Sequence, residues 1–382
     1  MDTCTRPVAR RLLVFALLVL VPMMLSGQET ARVPADQTGG EWLVEGAGRS
    51  GDVKIDTFLG RRSLWLRNST QAIRAGARLI DGTIEFDVAP MDHDDFVAIV
   101  FRRESLRNHE NIYLRPRSSG EFMAVQYAPR MNGSSTWQLY PEFTARTEWP
   151  RNQWTHVRIE VSGSRMEIFV ANGATPVVSV PRLRHGSTEA ADVAFWARVN
   201  DKPAEWAAAL SNIQIRPASS PTPRTTALPA PAEYVSRWEV AGPIKTDRAA
   251  GTLPSGLDWK PVVAEESGLV NLNAVFNAQP PQGPFTAYAR TFIDASAARR
   301  ILAGIGYSDD VTVLVNGEPI YSGINGWNAR TPDFISFVNA DFERVWLPLK
   351  AGRNEIALAV TDNQIFGWGF ALKRLEPANN ED

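Results

Sequence analysis

"SDDVTVLVNGEPIYSG", residues 308–323, decides how the chain is read. Val311, Val313 and Val315 alternate with Thr312 and Leu314, the period of a strand with one apolar face. Asn316-Gly317 follows, and a type I′ turn needs φ > 0 at both central positions, which this pair accepts most readily. "EPIYSG" is then the returning strand. Pro319 cannot donate to a ladder, which places that strand at a sheet edge. Asp309 and Asp310 sit at the entrance. Adjacent residues of a strand face opposite sides, so the pair does not converge on one substrate atom and reads as turn and loop. The stretch is a hairpin.

The rest of the chain repeats that pattern. "GTIEFDVA", "FVAIVFR", "NIYLRPR", "FMAVQYAP", "THVRIEVSG", "RMEIFVAN", "VAFWAR" and "SNIQIRP" are short runs rich in β-branched and aromatic residues, divided by Gly, Pro and Asn. Later come "FTAYARTFID", "RRILAGIGYSDD", "RVWLPLKAGRNEIALAVTDN" and "GWGFALKRLE". Long amphipathic helical patterns are absent. Between the two groups lies "RPASSPTPRTTALPAPAEY", residues 216–234, dense in Pro, Ser, Thr and Ala and expected to be extended and solvated. The expected fold class is all-β: two β-sandwich (jelly-roll) domains, 41–216 and 234–376, joined by a Pro-rich linker, 217–233, with a short tail, 377–382.

Arg6, Arg10 and Arg11 precede an apolar run, Leu12 to Leu25, and Ser26-Gly27 follow. A charged start, a short apolar stretch and small residues form a secretory signal, expected over 1–27 with a leader over 28–40. The run is short of the about 20 residues a membrane span needs. The expectation is a secreted or periplasmic protein with no membrane span in the mature chain. Cys4, the one cysteine, lies in the expected signal, so disulfides, thiol nucleophiles and thiolate metal sites are excluded downstream of it. The formal net charge is −2, and no long basic run points to nucleic acid.

Alternation singles out one surface. Val97, Ile99 and Phe101 share a face, with Arg102 opposite. Ile112 and Leu114 leave Tyr113 and Arg115 opposite. Gln126 falls opposite Val125 and Tyr127, and Gln138 and Tyr140 fall opposite Trp137 and Leu139. If the four segments are neighbouring strands, Arg102, Tyr113, Arg115, Gln126, Gln138 and Tyr140 line one sheet face. Forked guanidinium groups and amphipathic phenol rings suit a polyhydroxylated ligand. Trp327, in the loop "GINGWNARTPDF", is a further stacking candidate, set against a role plugging its own sandwich.

Catalytic and metal signals are thinner. Glu85 and Asp87 in "DGTIEFDVAP" are spaced i, i+2 and share a strand face, as paired glycosidase carboxylates do. The alternative is a wet outer face with Ile84, Phe86 and Val88 turned inward. Glu110 and Glu142 are more distant helpers in the enzymatic reading. Asp92, Asp94 and Asp95 in "MDHDDF" are candidate calcium ligands, fewer than the 6–8 oxygens calcium takes. His93, His109, His156 and His185 are the only histidines. Neither G-x-S-x-G nor H-E-x-x-H occurs.

Two resemblances follow from these residues. "DDVTVLVNGEPIYSG", then Val345–Leu349, Lys350–Gly352, Asn354 and Ile356–Val360, is similar to galactose-binding-like jelly-roll domains. The stretch from "IEFDV" to "SNIQI", above all "NQWTHVRIEVSGSRMEIFVANG" (152–173), resembles concanavalin A-like lectin/glucanase sandwiches. Within these it is nearest to laminin-G-like modules and keto-disaccharide hydrolase-related domains. The resemblance implies the sandwich fold and a carbohydrate-linked role; it does not by itself imply catalysis, since binding modules and enzymes share this sandwich. Laminarinase-like members carry acids at three alternating positions of one strand; here the third is Ala89 and Pro90 ends the strand. The expected function is therefore secreted, non-catalytic binding of carbohydrate or a glycosylated surface. A glycoside-cleaving enzyme and an extracellular protein-interaction module without a sugar site are the alternatives.

Overall fold

The structure, a computed structural model, describes residues 31–33, 41–93, 95–246, 251–278, 283–331 and 335–375. The expected signal, Asp94 and the tail lie outside the described residues. Among the described residues no helix is long and apolar enough to cross a membrane.

The first half is built from β1 (Ala31–Val33), β2 (Trp42–Glu45), β3 (Val53–Phe58), β4 (Arg61–Leu66), β5 (Gln71–Leu79), β6 (Gly82–Pro90), β7 (Asp95–Ser105) and β8 (Asn108–Leu114). It continues with β9 (Val125–Tyr127), β10 (Thr144–Ala145), β11 (Thr155–Ser162), β12 (Arg165–Val170), β13 (Val178–Val180), β14 (Ala191–Val199) and β15 (Ala208–Pro217). These form an eight-stranded sheet, β1-β2-β5-β14-β7-β8-β9-β10, and a seven-stranded sheet, β13-β12-β11-β6-β15-β4-β3. The alternating aliphatic residues of both sheets meet in one core: Ile84, Phe86 and Val88 from one side, Val97, Ile99 and Phe101 from the other. The period of two therefore set the inner faces as read.

The second half holds β16 (Arg237–Lys245), β17 (Lys260–Val263), β18 (Leu269–Asn271), α1 (Leu272–Val275), β19 (Phe285–Ala295), β20 (Arg299–Ser308) and β21 (Asp310–Val315). It ends with β22 (Glu318–Ile324), β23 (Glu343–Leu349), β24 (Gly352–Asp362) and β25 (Gly369–Arg374). A six-stranded sheet, β17-β16-β19-β24-β21-β22, packs on a four-stranded one, β18-β25-β20-β23, around a core that includes Trp368. β21 and β22 are the hairpin of residues 308–323. Asn316 and Gly317 have φ of 52° and 84°, and β22, which carries Pro319, is an edge strand. Asn354, fully buried, accepts Lys350 N–H at 2.8 Å and donates to Lys350 and Gly352 carbonyls, tying the β23–β24 turn. The Asn of the resembled motif is a turn-holder.

The two sandwiches are docked. Leu269, Val338, Ala340 and Ala371 of the second pack into the first core. Arg182 and Arg184 pair with Glu266, each at 2.8 Å, and Tyr140 donates to Glu265 at 3.0 Å. The linker has no regular structure and is largely exposed, as expected, and it is in addition pinned to both sandwiches. Thr222 N–H donates to Asp81 at 2.5 Å, Thr225 N–H to Ser164 at 3.1 Å and Leu228 N–H to Glu266 at 3.0 Å. Polar backbone in a Pro-rich segment still seeks acceptors, and the sandwich rim supplies them.

Candidate functional site

The polar face expected on the eight-stranded sheet is divided and covered. Arg102 has φ of 45° at a register shift between β7 and β14, where two residues of β7 stand opposite one of β14. A bulge adds one residue and reverses the side-chain phase beyond it. Arg102 consequently turns to the buried Asp81 at 3.1 Å and to the carbonyls of Ile80 and Gly163, away from the expected face. Arg103 takes the polar position instead, bonded to Gln71 and Glu45.

Tyr113, Arg115 and Gln126 do lie together. Arg115 sits 4.9 Å from the Tyr113 ring centroid and donates to Gln126 at 2.6 Å, and Tyr113 is registered opposite Gln126. They are buried, however, under the segment expected to be a fourth strand. Trp137–Leu139 is a turn, leading into Tyr140. Gln126 donates to its Trp137 carbonyl at 2.7 Å. The turn's own backbone bonds run to the second sandwich, Ser135 N–H to Ile365 and Gln138 N–H to Phe366. Gln138 and Tyr140 are fully buried contacts between the sandwiches. Trp327 packs edge-on against Trp137 of the first sandwich at 5.3 Å, rather than plugging its own. The six residues thus share neither one face nor solvent.

The acids are placed as the alternation required. Glu85 and Asp87 both face outward on the seven-stranded sheet, with Ile84, Phe86 and Val88 inward. Glu85 pairs with Arg216 at 3.0 Å. Asp87 accepts from Arg61 at 2.6 Å, His156 Nδ1 at 2.9 Å and Asn212 at 2.6 Å. Glu110 is buried and accepts from Tyr127 at 2.6 Å. Of the calcium candidates, Asp92 is exposed and Asp95 is buried against Arg151. Among the described residues no group of three or more His, Cys, Asp or Glu is placed to hold a metal.

Around Asp87 the outer face of the seven-stranded sheet forms the candidate site. Lys54 and Trp65 are registered opposite each other on β3 and β4. Trp65 is opposite Ala209, which is opposite Ala89. These small, fully buried alanines make a floor that leaves room for large neighbours. Trp206, Trp65, Phe58 and Trp154 then follow one another edge-to-face, with ring centroids 6.2, 5.1 and 5.9 Å apart, and all four are half-buried. Lys54 lies over Trp65 and Trp206, Arg67 over Trp206 and Arg61 over Trp154. Each of these cations also has an acid: Asp56, Asp52 and Asp87.

The polar end of the strip is organised by Asp87. Asn212, at φ 52° in a bulge of β15, is aimed at it. His156, registered opposite it on β11, is held through Nδ1. An imidazole whose Nδ1 donates to a carboxylate presents Nε2 as an acceptor, and this ring is 28% exposed. The arrangement offers apolar ring surface beside oriented hydrogen-bonding groups.

Alternation alone would have placed Trp65 outward with Ser63 and Arg61. Phe58 ends β3 and Trp206 lies in the loop just before β15, where no period applies, and their convergence came from sheet order.

No family model matches the chain, and no curated protein matches it. Solved structures that align with it include the carbohydrate binding module CBM66 from Bacillus subtilis, at 15% identity and TM-score 0.32, covering 43% of this chain and 90% of that one. A Bacillus licheniformis β-glucanase aligns at 10% identity and TM-score 0.34, covering 48% and 95%. A Bacillus subtilis protein of unknown function with a galectin-like fold aligns at 12% identity and TM-score 0.32, covering 45% and 87%. At these identities and scores the likeness concerns sandwich architecture and says nothing about ligand or activity.

Proposed function

We propose that this protein binds a neutral glycan chain on the outer face of the seven-stranded sheet. One observation carries the reading: four half-buried aromatic rings run in a continuous strip that ends at the oriented His156–Asp87–Asn212 group. Indole and phenyl rings take the apolar C–H faces of sugars, and an acceptor nitrogen beside an amide takes hydroxyls. Because Lys54, Arg61 and Arg67 are each balanced by an acid, the face has no charge to spare for a polyanion. The role is binding, since Glu85 and Asp87 are both committed to arginines. The signal read at residues 1–27 would deliver the protein outside the cytoplasm, where such polymers occur.

The test is calorimetric titration with soluble neutral polysaccharides, and with a polyuronate as the charged counterpart. The wild type should bind a neutral polymer, and Trp65→Ala with Trp154→Ala should weaken binding by about tenfold or more, roughly 1.4 kcal/mol. Equal binding by the double variant, with unchanged far-UV circular dichroism, would show the strip to be irrelevant. So would a wild type that takes none of the neutral polymers.

A further inference from the structure

The turn that covers the outer face of the eight-stranded sheet is held by an unusual set of acids. The covering piece comprises the 134–140 turn and the 362–367 segment, joined by the two backbone bonds to Ile365 and Phe366. Trp137 fills the seam against Trp327, Phe337 and Phe366, at 5.3, 5.8 and 5.7 Å. Beneath it lie Tyr113, Arg115 and Gln126.

What fixes the 362–367 segment is Asp309. Its Oδ2 accepts the N–H of Asn363 at 2.7 Å and of Gln364 at 2.8 Å. Gln364 in turn accepts Trp327 N–H at 2.7 Å, so the Trp327 loop is tied to the same carboxylate. Asp362, 1% exposed, accepts Gln364 N–H at 3.2 Å through Oδ1, while its buried Oδ2 has no partner. Asp310, half-buried, accepts Asn363 Nδ2 at 2.7 Å. The elements packed around the group contribute Ser308 from β20, Thr361 from β24, the Asn325 N–H and Gln138. No cation is bonded to any of the three acids among the described residues.

We propose that this acid cluster makes the cover a pH-sensitive lid, closed at acidic pH and loosened above neutrality, when both members of the Asp309–Asp362 pair have lost their protons. Two buried carboxylates side by side do not both ionise without cost. Burial pushes Asp309 up to about 7. Burial, and then the charge of Asp309, pushes Asp362 well above the usual carboxylate range, and burial raises Asp310. A carboxyl group whose pKa is raised by folding stabilises below its unfolded value and loses that contribution as pH rises through the folded value. For Asp309 the loss runs from about 4 to about 7, and for Asp362 it continues higher. The charge then sits on Asp362 Oδ2, which has no donor. The segment most directly loaded is 362–367, and opening it uncovers Tyr113, Arg115 and Gln126.

Hydrogen exchange read by mass spectrometry tests the lid, with rates corrected to protection factors. Between pH 6 and pH 9, peptides from 134–140 and 362–367 should lose about tenfold or more in protection, while β6 and β11 stay constant. Asp362→Asn keeps the Oδ1 acceptor and removes the second charge, so its protection should fall much less between pH 6 and pH 9 than that of the wild type, the remaining change being that of Asp309 alone. Acrylamide quenching of the wild type supplies a readout without a variant, with Trp137 and Trp327 becoming more accessible at pH 9. Unchanged protection and quenching in the wild type overturn the lid. So does a folded Asp362→Asn protein that opens as the wild type does.

Discussion

Ser308 Oγ lies 2.8 Å from Gln138 Oε1, and both side chains are fully buried at the seam of the two sandwiches. Ser308 also lies 3.1 Å from Asp309 Oδ1. A hydroxyl has one proton, so the serine serves the neighbouring sandwich or its own acid at a given moment. The contact sits within an interface that includes part of the first core, and it makes the Pro-rich segment a strap along a docked pair.

The first prediction concerns that docking. Gln138→Ala should cost about 1–3 kcal/mol, the usual penalty for removing a buried hydrogen-bond partner. Urea unfolding followed by fluorescence measures it. Because Leu269, Val338, Ala340 and Ala371 of the second sandwich pack into the first core, the wild type should unfold in a single calorimetric transition. Two well-separated transitions would mean that the seam contributes little.

Arg102 supplies the second. Its pair with Asp81 is 1% and 2% exposed, and Asp81 also accepts Gly163 N–H at 3.0 Å and the linker's Thr222 N–H. Removing one partner of such a buried pair leaves an uncompensated charge, costing about 3–5 kcal/mol. Arg102→Ala should lower the urea midpoint accordingly and raise exchange at Thr222. A neutral substitution would place Arg102 back on an open surface.

The two faces of the first sandwich should respond oppositely. Trp196, 7% exposed on the eight-stranded sheet, is packing, so Trp196→Ala should cost about 3–5 kcal/mol in stability and leave glycan affinity unchanged. His156→Ala should cost under about 1 kcal/mol, as partly exposed polar sites do, and weaken glycan binding. Paired thermal melts and titrations separate the effects.

Glu266 gives an acid-side prediction. Burial opposes its ionisation, but the Leu228 N–H and then Arg182 and Arg184 outweigh that and hold its pKa below the ordinary value. A depressed carboxylate stabilises above its unfolded pKa and loses that as pH falls through the folded value. Below about 4.5 the wild type should therefore lose stability faster than Glu266→Gln, as read from urea midpoints at pH 3 to 6.

The sequence by itself determined the strands, their inner faces and the 308–323 hairpin. These depend on local turn chemistry and on a period of two that every core strand must obey. It also put Glu85 and Asp87 on one outward face, as found. Tertiary structure alone decided which outward faces stay open. A bulge at Arg102 reversed one phase, and the 134–140 turn spent its backbone bonds on a sandwich more than 200 residues away along the chain. Trp206, Trp65, Phe58 and Trp154 were joined by sheet order. Alternation says that a side chain points away from its own core, but solvent exposure depends on what else in the molecule lands there.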